Sequence, residues 1–164
     1  TKFIELAAEV NQGMPYHVVG LVSSALNSVG KCLRGADILV LGVAFKKDID
    51  DARNSAAERV IELLIEGGAR VSYNDPYVPQ FRVGRDVFCR EGHLLESRPL
   101  DESTLREADC VVIVAPHSCY DYQSIVDHAQ LVVDSANATK AVSTGRERIL
   151  RLGAPRPERT NLAR

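Results

Sequence analysis

The feature that most constrains the fold is a short, continuously apolar run at 38–41 that a polar loop joins directly to a helical pattern. The run predicts a strand buried on both faces, and apolar residues at helical spacing follow over 55–66. Between them lies the loop GVAFKKDIDDARNS, residues 42–55. Open α/β sheets bind their ligands in loops that follow the carboxyl ends of strands. This loop is therefore the first candidate for a binding site.

Further apolar runs alternate with helical patterns along the rest of the chain. The predicted strands lie at 37–42, 70–74, 110–115 and 130–134, and the predicted helices lie at about 55–66, near Leu105 and at 122–129. Strands that alternate with helices indicate a parallel sheet covered on both faces. The sequence thus predicts an α/β fold, a Rossmann-like parallel sheet with helices on both faces, preceded by a long amphipathic helix.

The long helix is predicted from apolar side chains that recur every three or four residues between Phe3 and Ala25. Gly13 and Pro15 interrupt the pattern, which predicts either a bend or a second helix beginning near Pro15. If the apolar face cannot fold back on the domain, two-fold pairing with a second copy would bury it. A homodimer through this helix is therefore expected.

Three domain segments follow from these patterns: a helical segment at 1–34, a Rossmann-like domain at 35–139 and a basic tail at 140–164. Within the domain, 76–100 shows little periodicity and is predicted to be irregular, with a short extended segment at 85–89. The tail carries seven Lys or Arg against two Glu and is broken by Gly and Pro. Because it lacks interleaved aromatic residues, it is interpreted as a solvated extension and not as a nucleic-acid-binding arm.

Composition and motifs exclude several classes of protein. A chain of 164 residues that is 45% hydrophobic and 26% charged suits one soluble globular domain. Its four Cys have no CxxC spacing, and no apolar run approaches a membrane span or a signal sequence, so a cytoplasmic protein without a membrane partner is expected. The chain begins at Thr1 inside an amphipathic pattern, which suggests a fragment of a longer protein.

The loop at 42–55 carries the residues most suited to polar recognition. Lys46, Lys47 and Arg53 are donors for an anion, and neighbouring aspartates can hold those donors in place. The chain contains no GxGxxG, no GxxxxGK[ST] and no nucleophile elbow, and its four His lack metal-ligand spacing. The residues alone therefore predict an anion-binding α/β domain with no metal site and no catalytic residue.

Four stretches, spread over nearly all of residues 1–139, carry a resemblance to a known family. They are FIELAAEVNQGMP, LVLGVAFKKDIDDARNSAA, GGARVSYNDPYVP and HSCYDYQSIVDHAQLVVDSANA. Together they resemble the C-terminal part of the UDP-glucose/GDP-mannose dehydrogenase family, most nearly its branch that oxidises UDP-N-acetylhexosamines. The resemblance implies an N-terminal domain that binds NAD, a central helix that holds a dimer together, and a C-terminal domain that closes over the UDP part of the substrate.

The resemblance also implies roles for individual residues. Phe45 and Lys46 match the family's aromatic-Lys pair that meets the substrate, and Asn11 matches a helix Asn beside the reacting sugar. Arg53 matches an Arg that reaches toward the cofactor. In the family, two hydride transfers convert the sugar C6 alcohol to a carboxylate through a cysteine thiohemiacetal, but the GG-x-C-x-P-K-D motif of that cysteine is absent here. The chain alone is expected to bind a UDP-sugar without oxidising it, and NAD is expected as the cofactor of the parent enzyme.

Each of these residues also has a purely structural interpretation. Lys46 would be a solvated loop lysine, Phe45 a cap on the core and Asn11 a polar residue on a helix face. Arg53 would pair with Asp50 or Asp51, and Asp51 is expected to orient Lys46 or Arg53. His117, in PHSCYDY, is interpreted as a loop residue that shapes the pocket, because no nucleophile or metal pattern accompanies it.

One position departs from the family pattern. Where the family commonly has an Arg before Asn after the last strand, this chain has Ala136 before Asn137. Loss of a charged donor to a nucleotide would cost about 1.5 to 3 kcal/mol unless Lys140 substitutes. The alternative function is therefore a non-catalytic oligomerisation or regulatory module derived from the family.

Overall fold

Strands and helices alternate along the described part of the chain, residues 1–84 and 92–154 of a computed structural model. The strands are β1 (Asp37–Leu41), β2 (Arg70–Asn74), β3 (Gln80–Val83), β4 (His93–Glu96), β5 (Cys110–Ile113), β6 (Val132–Asp134) and β7 (Ile149–Arg151). The α-helices are α1 (Lys2–Asn27), α2 (Ala56–Glu66), α3 (Glu102–Glu107) and α4 (Tyr122–His128), and 3-10 turns lie at Ala138–Ala141 and Arg146–Arg148. Five strands form a parallel sheet in the order β2-β1-β5-β6-β7. The predicted α/β fold is confirmed.

The central strand β1 shows why helices cover both faces of the sheet. Ile38 and Val40 belong to the apolar cluster that α1 and α2 cover, whereas Leu39 and Leu41 belong to the cluster under α3 and α4. All four side chains are buried. Successive side chains of a strand point to opposite faces, so a strand covered on both faces needs an apolar residue at every position. This requirement explains the continuous apolar run.

The parallel arrangement brings the strand ends together at one edge of the sheet. β1 pairs in parallel with β2 on one side and β5 on the other, so the segments after Leu41, Asn74 and Ile113 all leave the same edge. The segment after β1 runs to Ser55, whose side chain accepts a hydrogen bond from the Ala57 amide and caps α2. The loop at 42–55 therefore lies where open α/β sheets bind ligands.

Helix α1 divides into an exposed half and a packed half. Pro15 lies inside the continuous helix, so the alternative of a second helix beginning near Pro15 is wrong. A proline removes one main-chain hydrogen bond, and the packing of the following turns through Val18, Val22 and Leu26 offsets that loss. Before Pro15, large apolar side chains are exposed to solvent: Phe3, Ile4, Leu6 and Val10.

Two short elements differ from the sequence prediction. The stretch at 76–100 contains an antiparallel hairpin of β3 and β4, in which alternate residues Phe81 and Val83 are buried. Each strand has only four residues, too few for a period-two pattern to stand out. The extended segment expected at 85–89 lies outside the described residues.

The predicted basic tail at 140–164 also differs from the structure where it is described. β7 pairs in parallel with β6, and Ile149 is buried in the core, so 149–151 is part of the sheet. Charged residues around this three-residue strand hide its apolar signal from composition. No helix in the described ranges is long and apolar enough to cross a membrane.

Candidate functional site

The loop after β1 begins with a three-residue segment, Gly42 to Ala44, which we call the loop root. Gly42 has a φ of +78°, and a side chain there would overlap the carbonyl oxygen of Ala115 and lie 2.7 Å from its Cβ. Only glycine meets both demands without strain. The root can therefore pass close beneath the segment that follows β5.

A buried carboxylate fills the space beside the loop root. Asp75, directly after β2, is 2% exposed, and its Oδ2 accepts hydrogen bonds from the Val43 and Ala44 amides at 2.7 and 3.1 Å. Its Oδ1 accepts from the amides of Tyr77 and Val78 at 2.9 and 3.2 Å. In dinucleotide-binding folds the amides at this turn approach a pyrophosphate. Here the protein's own carboxylate takes that place.

His117 lies under the loop with both ring nitrogens engaged. The Asp48 amide donates to Nδ1 at 2.8 Å, and Nε2 is 2.9 Å from Asp75 Oδ2. A backbone amide can only donate, so Nδ1 carries no proton and the proton resides on Nε2, which donates to Asp75. The ring is 0% exposed. The structure thus places His117 beneath the loop that carries the candidate residues, joined to the strand ends of β1 and β2.

Asp48 is the second anchor of the loop. It has a φ of +61°, an uncommon conformation for a residue other than glycine. Its carboxylate accepts hydrogen bonds from the Ser118 amide at 2.7 Å and the Ser118 hydroxyl at 2.6 Å. These hydrogen bonds, the hydroxyl's first, lower the pKa of Asp48 below its usual value. The loop is therefore fixed on both sides of residues 45–47.

The three residues between these anchors, which we call the loop tip, face solvent. Phe45 is 54% exposed, and the Lys46 ammonium lies 5.7 Å from the centre of its ring. Within the part of the chain that the structure describes, Lys46 makes no ion pair. Lys47 differs, because its ammonium lies 4.0 Å from an Asp48 oxygen and 3.5 Å from the Ser118 hydroxyl. The tip thus presents an exposed aromatic ring beside an uncompensated cation.

Arg53, the residue predicted to reach toward the cofactor, pairs with Asp51. Its Nε and Nη2 donate to the two Asp51 oxygens at 2.9 and 2.7 Å. The Arg53 side chain, followed by its backbone amide, lowers the pKa of Asp51 to about 2. The arginine side chain is 87% exposed. Of the two partners foreseen for Asp51, the structure selects Arg53.

A cleft of about 710 Å³ lies between α1 and the start of α2. Asn11 and Phe45 both line it, so the structure brings together two of the residues predicted to meet the substrate. Lys46 and Arg53 are not among the lining residues.

Two lining residues that the sequence did not single out are Tyr16 and Arg59. Arg59 donates to the Tyr16 hydroxyl at 2.8 Å and stacks 5.3 Å from the centre of its ring. The hydrogen bond that Arg59 donates to Tyr16, and then the one that it donates to Glu62, raise the pKa of Arg59. No single motif predicts this pair, because the two residues lie on different helices and are 43 positions apart in the sequence.

The segment after β6, where this chain lacks the arginine of the family pattern, is held by hydrogen bonds to Asp134. Asp134 Oδ1 accepts hydrogen bonds from the Ala136 and Ala138 amides, and Oδ2 accepts from Thr139 at 2.8 Å. Asn137 takes a left-handed conformation with a φ of 55°. Hydrogen bonds from its main-chain amides to Asp134 thus fix the conformation of the segment. In the described ranges, no group of three or more His, Cys, Asp or Glu side chains is arranged to hold a metal ion.

Comparison with known proteins agrees with this fold and shows the family of the chain. Residues 39–141 match the UDP binding domain of the UDP-glucose/GDP-mannose dehydrogenase family. The match covers more than half of the chain and includes the loop root, the loop tip, Asp75 and His117. The chain belongs to the UDP-glucose/GDP-mannose dehydrogenase family, as the four sequence stretches predicted.

Individual relatives extend the similarity. A UDP-N-acetyl-D-mannosamine dehydrogenase of Methanococcus maripaludis is 32% identical over 119 residues, which are 73% of this chain and 24% of that protein. Among solved structures, the UDP-D-ManNAc dehydrogenase of Pyrococcus horikoshii gives a TM-score of 0.70 at 26% identity over 92% of this chain and 33% of that chain. The NDP-N-acetyl-D-galactosaminuronic acid dehydrogenase of Methanosarcina mazei Go1 gives 0.70 at 29% identity over 90% and 30%. The chain thus spans about a quarter of the length of the relatives it matches in sequence.

Proposed function

We propose that this chain is the UDP-sugar-binding C-terminal part of an NAD-dependent nucleotide-sugar 6-dehydrogenase, which oxidises the sugar C6 alcohol to a carboxylate. The observation that carries the proposal is the loop tip. Lys46 is an exposed cation without an ion pair in the described residues, beside an exposed aromatic ring, at the carboxyl edge of a parallel sheet. A lysine in this state can accept a phosphate without first giving up a carboxylate. The family match and the relatives acting on UDP-N-acetylhexosamines support uridine diphosphate as the group bound.

In this proposal the residues divide between substrate and cofactor. Phe45, Lys46 and Asn11 bind the UDP-sugar, with Phe45 and Asn11 in the shared cleft. Arg53 turns from Asp51 toward NAD across a cleft to an N-terminal domain. The loop root does not fit the diphosphate of NAD, because Asp75 already accepts its amide hydrogens. NAD is therefore held mainly by the N-terminal domain of the parent enzyme.

The exposed half of α1 supports the association of two copies of the chain. Phe3 is 82% exposed, and Ile4, Leu6 and Val10 are also exposed. Two copies related by a two-fold axis would bury these residues against each other. We propose a homodimer through α1, acting in the cytoplasm. Light scattering at micromolar concentration tests this assembly, and a monomer under those conditions would contradict it.

Calorimetric titration of the purified chain with UDP, UDP-N-acetylglucosamine and GDP tests the binding function. We expect binding selective for uridine nucleotides. Lys46→Ala should weaken it about tenfold to a hundredfold, because a charged donor to phosphate contributes about 1.5 to 3 kcal/mol. Lys47→Ala is the matched control and should weaken it less, since Asp48 and Ser118 already hold that ammonium.

The second candidate is a non-catalytic oligomerisation or regulatory module. It is favoured by one observation, Ala136, which has no side-chain donor at a position where the resemblance implies an arginine that meets the nucleotide. A folded sample that binds none of the three nucleotides but remains dimeric would favour this module over the substrate domain. Ala136→Arg separates the two further, because a gain of uridine binding would show an otherwise intact pocket.

A further inference from the structure

We infer that His117 is a positioning residue that holds the loop tip in its UDP-binding conformation. The inference rests on the proposed function and adds a residue that touches neither ligand nor solvent. It is argued from a hydrogen-bonded path that runs from Asp75 through the His117 ring to the amide of Asp48. That path joins the end of β2 to the loop of β1 through the segment after β5.

The loop tip is held at three points, and His117 acts at the third, directly after the tip. Before the tip, Asp75 binds the Val43 and Ala44 amides. Across its base, the Phe45 amide donates to the Asp51 carbonyl oxygen at 2.8 Å. After the tip, Asp48 adopts a positive φ and gives its amide to His117 Nδ1.

The conformation of Asp48 depends on partners outside its own loop. A left-handed conformation costs an L residue about 1 to 2 kcal/mol, so a set of contacts must compensate for it. The Asp48 carboxylate accepts hydrogen bonds from Ser118, and the Asp48 amide donates one to His117. These two partners are neighbours in the segment after β5. Without the acceptor on His117, the amide would lose its buried partner and Asp48 could return to an ordinary conformation, moving Lys46 with it.

The ring is also fixed from its other sides. Tyr77 and Tyr120 lie 4.9 and 5.5 Å away between ring centres, and the Tyr122 hydroxyl donates to the His117 carbonyl oxygen at 2.8 Å. Asp75 accepts from Nε2 and thereby selects the tautomer whose Nδ1 can accept from Asp48. The imidazole is thus an oriented acceptor, and its role is geometric.

The test is a double-mutant cycle between His117→Phe and Lys46→Ala, with UDP affinity measured by NMR titration up to millimolar nucleotide. Phe keeps a ring between the tyrosines and removes both hydrogen bonds. We expect His117→Phe to weaken binding about tenfold in the otherwise unchanged chain and less than about twofold in the Lys46→Ala background. Equal losses in both backgrounds, or no loss in either, would overturn the inference.

Two further variants separate positioning from general destabilisation. His117→Asn retains an acceptor near the place of Nδ1 and should bind UDP more tightly than His117→Phe, within about threefold of the unchanged chain. Ile149→Ala removes core volume from β7, at the far edge of the sheet, and should lower the melting temperature without changing affinity. If Ile149→Ala weakens UDP binding as much as His117→Phe, the role of His117 is only structural.

The local geometry has a readout that needs no nucleotide. In ¹⁵N spectra, Nδ1 should appear unprotonated and Nε2 protonated, and the Asp48 amide should exchange slowly with solvent until His117→Phe exposes it. The opposite tautomer or a rapidly exchanging Asp48 amide in the unchanged chain would contradict the inference directly. If the geometry holds and the unchanged chain binds no uridine nucleotide, the proposed function fails and the positioning role fails with it. If the unchanged chain binds and His117→Phe binds equally well, the positioning role alone fails.

Discussion

The loop root and the loop tip are adjacent segments of three residues each, yet they satisfy their polar groups in opposite ways. At the root, the Val43 and Ala44 amides are buried and donate to the carboxylate of Asp75. At the tip, Phe45 and Lys46 are exposed, and Lys46 has no ion pair in the described residues. The root amides are thus already occupied by a carboxylate, whereas the Lys46 ammonium at the tip is open to solvent.

This difference explains why the loop contains one glycine and no dinucleotide fingerprint. A phosphate at the root would have to displace Asp75 or lie beside its negative charge, and like charges at such distances repel strongly in a buried site. The glycines that admit a pyrophosphate to that turn in dinucleotide-binding domains therefore have no role here. In the proposed function the nucleotide therefore lies farther out, at the tip and the cleft beside α1.

The largest expected effect on stability comes from removing the Asp75 carboxylate beside the loop root. Asp75→Ala leaves four backbone amides and the His117 Nε2 without their acceptor. Each buried unsatisfied donor costs about 1 to 3 kcal/mol before relaxation, so we expect a loss of about 3 to 5 kcal/mol in the free energy of unfolding. Chemical denaturation measures it. Asp101→Ala, which removes the exposed cap of α3, is the control and should cost about 1 kcal/mol. Equal losses would mean that Asp75 is only another cap.

A smaller loss is expected from crowding the root. Gly42→Ala adds a Cβ at a positive φ and against Ala115, so it should destabilise by about 2 to 4 kcal/mol. Gly30→Ala is the matched control, because Gly30 has a φ of +75° and no atom within 4 Å of the added Cβ. Thermal melts of both variants isolate the close approach from the backbone strain. Similar melting temperatures would show that the root tolerates separation from β5.

Sequence reasoning succeeded where the signal was local. The continuous run of β1 and the spacing of α2 fixed those elements, because each pattern repeats within a few residues. The position of the loop at 42–55 at the carboxyl edge of the sheet was also predictable, since a polar segment between a buried strand and a helix has one place in a parallel sheet.

The features that the sequence did not predict all depend on partners that are distant along the chain. β7 is recognisable only through its pairing with β6. The role of Asp75 depends on amides 31 and 32 residues earlier and on His117, 42 residues later. One local signal for Asp75 was present, because it directly follows an apolar strand and precedes Pro76, but it reads equally as a turn. No local sequence pattern indicated that both ring nitrogens of His117 would be hydrogen-bonded.

At the tip, stability and affinity should separate. Phe45→Ala removes a ring that is 54% exposed, so we expect the free energy of unfolding to change by no more than about 0.5 kcal/mol. The affinity for UDP should fall about fivefold or more, because stacking of a base on an aromatic ring contributes about 1 to 3 kcal/mol. Denaturation and calorimetry on the same sample make the comparison. A large loss of stability would assign Phe45 to the core, as its structural interpretation holds.

The smallest effect is expected at the Arg53–Asp51 pair. The pKa of Asp51 is lowered to about 2, so any stability from this carboxylate is present above its ordinary value near 3.8 and is lost only as the pH falls toward 2. Arg53→Ala should therefore cost little stability between about pH 5 and 7, because the pair is exposed to solvent. That small cost should not change with pH in this range, where Asp51 is ionised with or without its partner. In a ¹³C NMR titration the pKa of Asp51 should rise but stay below 3.8, because the backbone amide of residue 53 still donates to Oδ1.

The same variant decides to which ligand Arg53 belongs. If Arg53 serves the cofactor, Arg53→Ala should bind UDP as tightly as the unchanged chain, since the anchors of the loop tip do not pass through its side chain. A loss of UDP affinity as large as that of Lys46→Ala would instead assign Arg53 to the substrate. The exposed half of the loop would then hold two cations for one diphosphate, and the contrast with the carboxylate-filled root would be sharper still.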